Sequence, residues 1–318
     1  RPARPGRGHT GDRQRGPGVR APARRWLLLA VLAPLASAGC QQAPPPEGKP
    51  LVVASFYPMY EFARQVAGER AHVLSLVPPG VHGHDWEPTP QDVAQVQRAR
   101  VFVYNGAGFE PWAEKLIKEA ARPATVVVAA SAGLTVARAG ANGDVDPHVW
   151  LDPVLARSEV EAIRAALERS DPAGKAAYAG NTSAFNARLD ALNLSFETGL
   201  RDCARREVVV SHAAFGYLTR RYRLEQIAVM GLAPEAEPSP AALAGIVRQA
   251  RQRKVTAIFL EPLVSPRLAE TLAREVGVRI LPLNPVEGLT TSEAKAGTGY
   301  VDLMAANLAS LRDGLGCR

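Results

Sequence analysis

Three histidines and one glutamate lie where this chain could present side chains to a metal ion. His82 and His84 both lie in the Gly-interrupted turn V-H-G-H-D-W-E-P-T-P, just before a helix start, so at least one of the two rings is held on an ordered loop. His148 lies between two Asp-Pro steps in D-P-H-V-W-L-D-P, where prolines restrict the backbone on both sides. His212 follows the strand-like run V-V-V, and Glu287 lies just beyond the strand-like run V-R-I-L-P-L-N. Three imidazoles and one carboxylate are a ligand set suited to a borderline-soft divalent ion such as Zn²⁺.

The distribution of histidine along the chain favours a metal site over ordinary packing. A single histidine beside a tryptophan is more often a packed side chain than a ligand. The chain has 6 histidines, however, and only two lie outside these loops. His9 is in the leader described below, and His72 is in a plain strand pattern. The other four are concentrated in loops at strand ends.

The rest of the chain alternates short apolar runs with helical patterns, and this alternation predicts how the loops are positioned. Strands are predicted at 51–55, 72–77, 101–105 and 125–130, and a second series of strands and helices begins at 207. Apolar strands without alternation, separated by helices, indicate an α/β fold with mainly parallel sheets. Ligands bind such sheets at the carboxyl ends of the strands, which is where the histidine loops lie.

A long helix is predicted between the two series. Residues 173–202 contain no proline and carry apolar side chains at helical spacing, so we expect one helix of about 45 Å at ~1.5 Å per residue. A helix of this length predicts a backbone that spans two domains. The expected organisation is an N-terminal α/β lobe at 51–170, a linking helix at 171–203 and a C-terminal α/β lobe at 204–318.

Three other helix starts carry cap signals. Thr89 is followed by Pro90 and then Asp92, which is a capping-box pattern. Ser239 and Ser265 each precede a proline, so each is predicted to cap a helix whose first turn begins with that proline.

The basic charge of the chain comes from its first residues. The formal net charge is +7, and residues 1–25 contain eight Arg and one Asp, so the remainder is neutral. A neutral folded part removes the main argument for nucleic-acid binding, which needs a basic face. Arg24 and Arg25 precede an apolar run at 26–36, which is too short for an ordinary transmembrane helix and is typical of a secretory signal.

Cysteine usage agrees with export. The run S-A-G-C ends at Cys40 and resembles a bacterial lipoprotein cleavage site, so residues 1–40 are the expected leader, Cys40 the expected lipidation site and 41–50 a Pro-rich tether. An alternative kept open is that roughly the first 20 residues do not belong to the native chain. With Cys40 acylated, Cys203 and Cys317 remain as an even pair in an oxidising compartment, and we predict a disulfide between them.

Several motifs in order resemble one known family. G-V-H-G-H-D-W-E-P-T-P, D-P-H-V-W-L-D-P, V-V-V-S-H-A-A-F-G-Y-L, A-E-P-S-P and F-L-E-P-L-V-S-P-R-L-A-E-T-L-A are similar to the zinc/manganese substrate-binding proteins of bacterial metal ABC importers. The resemblance covers residues 50–316. It implies two α/β lobes joined by a long helix, with the metal in the cleft between them. The implied partners are an ABC permease, its ATPase and, through the lipid anchor, the membrane.

The resemblance also implies the ligand set. His84 rather than His82 matches the first ligand, because it directly precedes D-W-E-P, and His148 and His212 match the second and third. Many relatives have Asp at the position of Asn284, whereas others pair N-P with a following Glu. The N-P-V-E of this chain resembles the latter, which assigns Glu287 as the fourth ligand.

Two questions stay open on the sequence. Zinc importers often insert a His-rich loop where this chain has only V-A-R-A-G-A-N-G-D-V, so Mn²⁺ remains a candidate beside Zn²⁺. An exported zinc hydrolase with a three-histidine site is the alternative function. A catalytic zinc keeps one ligand position open, and this chain has no H-E-x-x-H motif. We therefore predict a binding protein rather than an enzyme.

Overall fold

The strands of this computed structural model form two parallel sheets with the same internal order. The structure describes residues 48–84, 86–134, 138–139, 144–232 and 239–318. The first sheet contains β1 (Leu51–Ala54), β2 (His72–Ser75), β3 (Val101–Tyr104) and β4 (Val126–Ala129) in the order β2-β1-β3-β4. A two-stranded antiparallel ribbon follows, made of β5 (Arg138–Ala139) and β6 (Asp144–Val145).

The second sheet repeats the first topology without repeating its sequence. It contains β7 (Glu207–Val210), β8 (Glu225–Ala228), β9 (Ala257–Leu260) and β10 (Arg279–Pro282) in the order β8-β7-β9-β10. In each sheet the first strand lies between the second and the third, and every pairing is parallel. The predicted α/β fold with two parallel sheets is confirmed.

The helices of the first lobe cover its sheet and begin at caps that the sequence marks in part. They are α1 (Tyr57–Ala67), α2 (Pro90–Arg98), α3 (Ala113–Ala120) and α4 (Pro153–Ser170). The capping box predicted for α2 is present, since Thr89 accepts a bond from the Asp92 amide while the Asp92 carboxylate accepts one from the Thr89 amide. Asp152 caps α4, a helix that our sequence analysis did not predict.

The long helix is present and has slightly shorter bounds than predicted. A 3-10 turn at Pro172–Gly174 leads into α5 (Lys175–Gly199). This helix packs against α1 and α4 of the first lobe. Its buried Phe185 and Leu189 belong to a core that extends from Val52 in the first sheet to Phe259 in the second. The two lobes therefore share one hydrophobic core.

The helices of the second lobe complete the chain. They are α6 (Gly216–Arg221), α7 (Pro240–Gln252), α8 (Arg267–Val276), α9 (Thr291–Ala296) and α10 (Tyr300–Leu315), of which α10 packs against α5. Ser239 caps α7 as predicted. The cap predicted at Ser265 is wrong, because the next residue, Pro266, is already in helical conformation and becomes the cap of α8 without a side-chain bond.

The two remaining cysteines meet where α5 and α10 end. The Sγ atoms of Cys203 and Cys317 lie 1.99 Å apart, and their backbones form an isolated antiparallel bridge. Cys40 and the rest of the predicted leader lie outside the described residues. Among the helices that the structure does describe, none is both long and apolar enough to cross a bilayer.

Candidate metal centre

Four side chains from both lobes converge on one buried point. His84 and His148 come from the first lobe, and His212 and Glu287 from the second. One nitrogen of each ring and one oxygen of the carboxylate all lie within 4.8 Å of one another. His148 and His212 are 0% exposed and Glu287 is 1% exposed. The four groups predicted from sequence as ligands are thus brought together between the lobes, three of them buried and His84 partly exposed.

The loop after β2 positions His84 by packing against an aromatic ring. The His84 ring lies 4.4 Å from the Phe109 ring, measured between centroids. The preceding residue must be small, because a Cβ at Gly83 would lie 3.0 Å from the edge of the same ring. Phe109 in turn stacks on Phe56 at 4.2 Å. The glycine between the two histidines therefore allows the loop to pack closely against the ring of Phe109.

A carboxylate orients His148. Asp146 accepts a hydrogen bond from the backbone amide of His148 at 3.1 Å and lies 2.8 Å from Nδ1 of its ring. With Nδ1 bound to this carboxylate, Nε2 points to the centre, 3.2 Å from Oε1 of Glu287. A carboxylate on the far nitrogen fixes the tautomer that leaves the other nitrogen free for a metal.

His212 has the same arrangement in the second lobe. It follows β7 by two residues, and Glu261, which directly follows β9, accepts its backbone amide at 3.1 Å. The other oxygen of Glu261 lies 2.6 Å from Nδ1 of His212. Nε2 of His212 is 3.2 Å from Oε1 of Glu287. Since β7 and β9 are the neighbours at which strand order reverses, this pair occupies the usual ligand position of an α/β sheet.

The loop after β10 presents Glu287 in a tight conformation. The side-chain oxygen of Asn284 accepts the amide of Val286 at 2.7 Å, and Asn307 binds both the amide and the carbonyl of Asn284. Val286 has a φ of 59°, a left-handed conformation that is costly for a β-branched residue. Asn284 therefore shapes the loop, whereas the buried carboxylate of Glu287 faces the histidines.

The segment around His148 also ties the two lobes together. The indole of Trp150 donates to the carbonyl of Pro285 at 2.8 Å, and Tyr300 donates its hydroxyl to the carbonyl of Trp150 at 2.5 Å. Arg221 binds the carboxylate of Asp152 at 2.8 Å. All three contacts join a first-lobe loop to the second lobe, so the histidine and the interlobe bonds share one short stretch of chain.

Burial and the contacts within the centre shift the pKa values of its groups in opposite directions. Burial raises the pKa of Glu287, but contacts with His148 and His212 outweigh it and hold that pKa well below its usual range. Burial lowers the pKa of His212, and the contacts with Glu261 and Glu287 reverse this and raise it to about 10. At His84 burial dominates and lowers the pKa to about 4.

Several polar atoms of the centre lack a hydrogen-bond partner in the described part of the chain. They include Nε2 of His84 and Nε2 of His148, both fully buried. Buried polar atoms are normally bonded, and an exception at a convergent set of nitrogens calls for an explanation. A cation bound by these nitrogens would supply the missing partner, so the residues present fit a divalent metal.

The residues that support the ligands were not predicted from the sequence. Asp146 and Glu261 both stand inside motifs quoted above, but no role was predicted for them. The available signal was position, since Asp146 is two residues before a candidate ligand and Glu261 is the last residue of the strand predicted at 257–261. Phe109 carried no signal in the sequence.

Comparison with known proteins identifies the family to which this chain belongs. Residues 52–314 match the model of the periplasmic zinc-uptake complex component A, ZnuA. The chain belongs to this family. Its members are components of a zinc-uptake complex, so the prediction of a binding protein rather than an enzyme is confirmed, and nothing in the comparisons supports the hydrolase alternative.

Individual relatives agree with the family assignment. The high-affinity zinc uptake system protein ZnuA of Bacillus subtilis is 38% identical over 277 residues, which is 83% of this chain and 87% of that protein. The zinc-binding lipoprotein AdcA of Streptococcus pneumoniae is 36% identical over 90% of this chain, which spans only 60% of AdcA. The crystal structure of the Zn(II)-bound ZnuA-like domain of that AdcA has a TM-score of 0.75 and 38% identity, covering 84% of this chain and 99% of the domain.

Proposed function

We propose that this chain captures Zn²⁺ outside the cytoplasm and delivers it to an ABC permease, which imports it with energy from its ATPase. The observation that carries the proposal is the convergence of three imidazoles and one carboxylate within 4.8 Å, two groups from each lobe. A site shared between lobes links metal binding to their relative position, which is the feature a delivery protein needs.

The proposed ligands are His84, His148, His212 and Glu287. Three neutral imidazoles with one carboxylate suit tetrahedral Zn²⁺ better than Mn²⁺, which favours oxygen-rich octahedral sites. The carboxylates of Asp146 and Glu261 support this assignment, because each engages the far nitrogen of a ligand ring. Mn²⁺ is the competing cargo that a binding experiment must include.

A carrier is supported over a catalyst by the closed nature of the centre. His148, His212 and Glu287 are buried, and four protein donors complete a tetrahedron without a water. A zinc hydrolase needs an open position and a general base beside it. The two further buried carboxylates, Asp146 and Glu261, contact the histidines.

We also propose that Cys40 is lipidated and anchors the chain at the outer face of the membrane. The support is the sequence pattern around Cys40, together with the name of the relative AdcA as a lipoprotein. Metabolic labelling with a fatty acid, compared between the wild type and Cys40→Ala, tests it. Label retained by the variant would contradict the proposal.

A disulfide between Cys203 and Cys317 is proposed for the exported protein, since the two sulfur atoms lie within bonding distance. It would join the ends of α5 and α10. Intact-mass analysis after alkylation without reductant should find no reactive thiol at either position. Two alkylated thiols would contradict the pairing.

Metal analysis of the purified protein is the experiment that tests the central proposal. Protein exported by its host and purified without added metal should contain about one zinc per chain and little manganese, as expected for a four-coordinate three-histidine site. A preparation that lacks zinc and does not take it up from a zinc-buffered solution would contradict the proposed function.

A further inference from the structure

A fourth imidazole lies beside the centre and contacts the other oxygen of its carboxylate. Nε2 of His82 is 3.0 Å from Oε2 of Glu287. The rings of His84, His148 and His212 instead approach Oε1, at 3.8, 3.2 and 3.2 Å. The two oxygens of Glu287 are therefore divided between the candidate ligands on one side and His82 on the other.

Within the described residues, no other group holds Oε2. This oxygen is buried and has no aligned hydrogen-bond donor there, and Nδ1 of His82 is likewise without a partner. The cavity that His82 and Glu287 line together has a volume of about 10 Å³. That is at the lower limit for a single water molecule, so solvent offers Oε2 little alternative to the His82 ring.

The backbone holds His82 against the Glu287 loop. The amide of Gly80 donates to the carbonyl of Leu289 at 2.7 Å, which joins the loop before His82 to the loop after Glu287. The two loops also touch at Gly288, where a Cβ would lie 3.2 Å from the carbonyl oxygen of Val81. The contact between the ring and the carboxylate is thus built into two loops that are bonded to each other.

We propose that His82 is a positioning residue that occupies Oε2 of Glu287 and so restricts this carboxylate to one metal bond, which favours Zn²⁺ over Mn²⁺. The inference rests on the proposed function. A carboxylate with both oxygens free can chelate, and it would raise the coordination number above four. Zn²⁺ accepts four tetrahedral donors, whereas Mn²⁺ gains from each additional oxygen.

The geometry does not make His82 a ligand itself. Its nitrogens are not part of the group of four donor atoms that lie within 4.8 Å of one another. Its Nε2 approaches Oε2, whereas the three other imidazoles approach Oε1. His82 therefore acts through Glu287.

The test compares two substitutions at His82 with one at a distant histidine. His82→Leu removes the polar contact with Oε2, whereas His82→Gln keeps an amide N–H that can reach Oε2. His72→Leu is the control, because His72 opens β2 at the end of the sheet opposite the centre. For each protein, competition titrations measure the ratio of Zn²⁺ to Mn²⁺ affinity, and the absorption spectrum of the Co²⁺-loaded protein reports the coordination number.

We expect His82→Leu to lower the Zn²⁺/Mn²⁺ affinity ratio by about 10-fold or more, the scale of losses when a group supporting a ligand is removed. Its Co²⁺ spectrum should lose the intense visible bands of a tetrahedral ion. His82→Gln should restore both properties, and His72→Leu should match the wild type. Circular dichroism checks that every variant is folded, and His82→Gln carries the test if the leucine variant is not.

Two outcomes would overturn the inference. One is a folded His82→Leu protein with the affinity ratio and Co²⁺ spectrum of the wild type. The other is a His82→Gln protein as impaired as His82→Leu, since a polar N–H at this position would then make no difference. Either result leaves zinc binding by the wild type intact, whereas failure of the proposed function would appear as a wild type that does not bind zinc.

Discussion

Two buried glutamates of this protein have opposite electrostatics. Glu110 and Glu287 are 5% and 1% exposed, and both lie in loops that follow strand ends. Burial raises the pKa of Glu110 to about 7, although the Ser55 hydroxyl and backbone amides, including that of Asn105, donate to its carboxylate. The pKa of Glu287 is held well below its usual range by the imidazoles around it.

The neighbours of a buried carboxylate determine whether it is a candidate metal ligand. Neutral donors stabilise Glu110 as part of the loop after β3, and burial still favours its protonated form. Around Glu287 the neighbours include the rings of His148 and His212, whose raised pKa favours the protonated form in the metal-free protein. Since the same rings can instead hold a metal, the charged carboxylate has a counter-charge in either case. Glu159 is a third case, a buried glutamate with neither kind of neighbour. Its two oxygens are buried without a hydrogen-bond partner in the described part of the chain.

The largest expected effect comes from removing one of the imidazoles that surround Glu287. His148→Ala and His212→Ala should each weaken Zn²⁺ binding by more than about 100-fold, because loss of a group that merely supports a ligand already costs roughly 10–100-fold. His84→Ala should behave in the same way. Titration against a chromophoric chelator measures the loss, with His72→Ala as a control that keeps wild-type affinity. A His212→Ala protein with wild-type affinity would contradict the ligand assignment.

The next effect separates the two candidates for the fourth ligand. Glu287→Ala should weaken Zn²⁺ binding by about 10–100-fold, since it opens a coordination position to water. Asn284→Ala should have a smaller effect, because its side chain accepts the Val286 amide instead. Glu110→Gln is the matched control for a buried carboxylate outside the centre.

The result that would reverse this assignment is specific. Loss of zinc binding in Asn284→Ala with binding intact in Glu287→Ala would show that the carboxylate is not a ligand. The centre would then hold three strong ligands and a weak fourth, and the wild type would need to be assayed for hydrolysis.

The comparison also predicts how zinc binding depends on pH. The raised pKa of His212, about 10, means that this ring is protonated in the metal-free protein at neutral pH, and Zn²⁺ must displace that proton. Affinity should therefore fall by about 10-fold per pH unit for each displaced proton as pH decreases. Calorimetry in two buffers of different ionisation enthalpy counts the protons released. An affinity that is flat between about pH 7.5 and 5.5 would rule out imidazole ligation.

The smallest expected effect concerns Glu159, whose carboxylate has no hydrogen-bond partner in the described part of the chain. Burial, with the nearby charges of Glu110 and Asp152, raises the pKa of Glu159 well above its usual value of 4.5. The unfolded chain therefore loses this proton first, and the free energy of unfolding should fall as pH rises above 4.5. Glu159→Gln should remove this contribution, which amounts to at most about 1.4 kcal/mol for each pH unit over which only the folded protein keeps the proton.

Chemical denaturation with a chelator present measures the stability of Glu159→Gln without a contribution from zinc. The variant should lose less stability than the wild type between about pH 5 and about pH 8, because only the wild type has the raised carboxyl pKa. Its zinc affinity should equal that of the wild type. Parallel stability curves for the two proteins would show that the pKa of Glu159 is not raised in the folded protein.

Much of the fold and the candidate ligands could be predicted because they depend on local pattern. Runs such as L-V-V-A and A-I-F-L indicate buried strands, and the absence of proline from 173–202 indicates the long helix. His84, His148, His212 and Glu287 each follow a strand or a braced turn. Parallel strands bring such loops to the same edge of a sheet, which nominated the four loops, whereas the choice of His84 over His82 and of Glu287 over Asn284 came from the family resemblance.

Tertiary packing decided which side chains meet at the centre and what supports them. His212 meets Glu261 and Glu287 across 49 and 75 residues of chain, and no periodic pattern relates residues so far apart. The division of the two Glu287 oxygens between His82 and the other rings depends on how two loops pack, not on spacing. Asn284 and Glu287 stand three residues apart and both carry side-chain oxygens, and only the left-handed turn at Val286 directs one into the loop and the other to the histidines. These choices depend on contacts between distant segments, which exist only once the two lobes share their core.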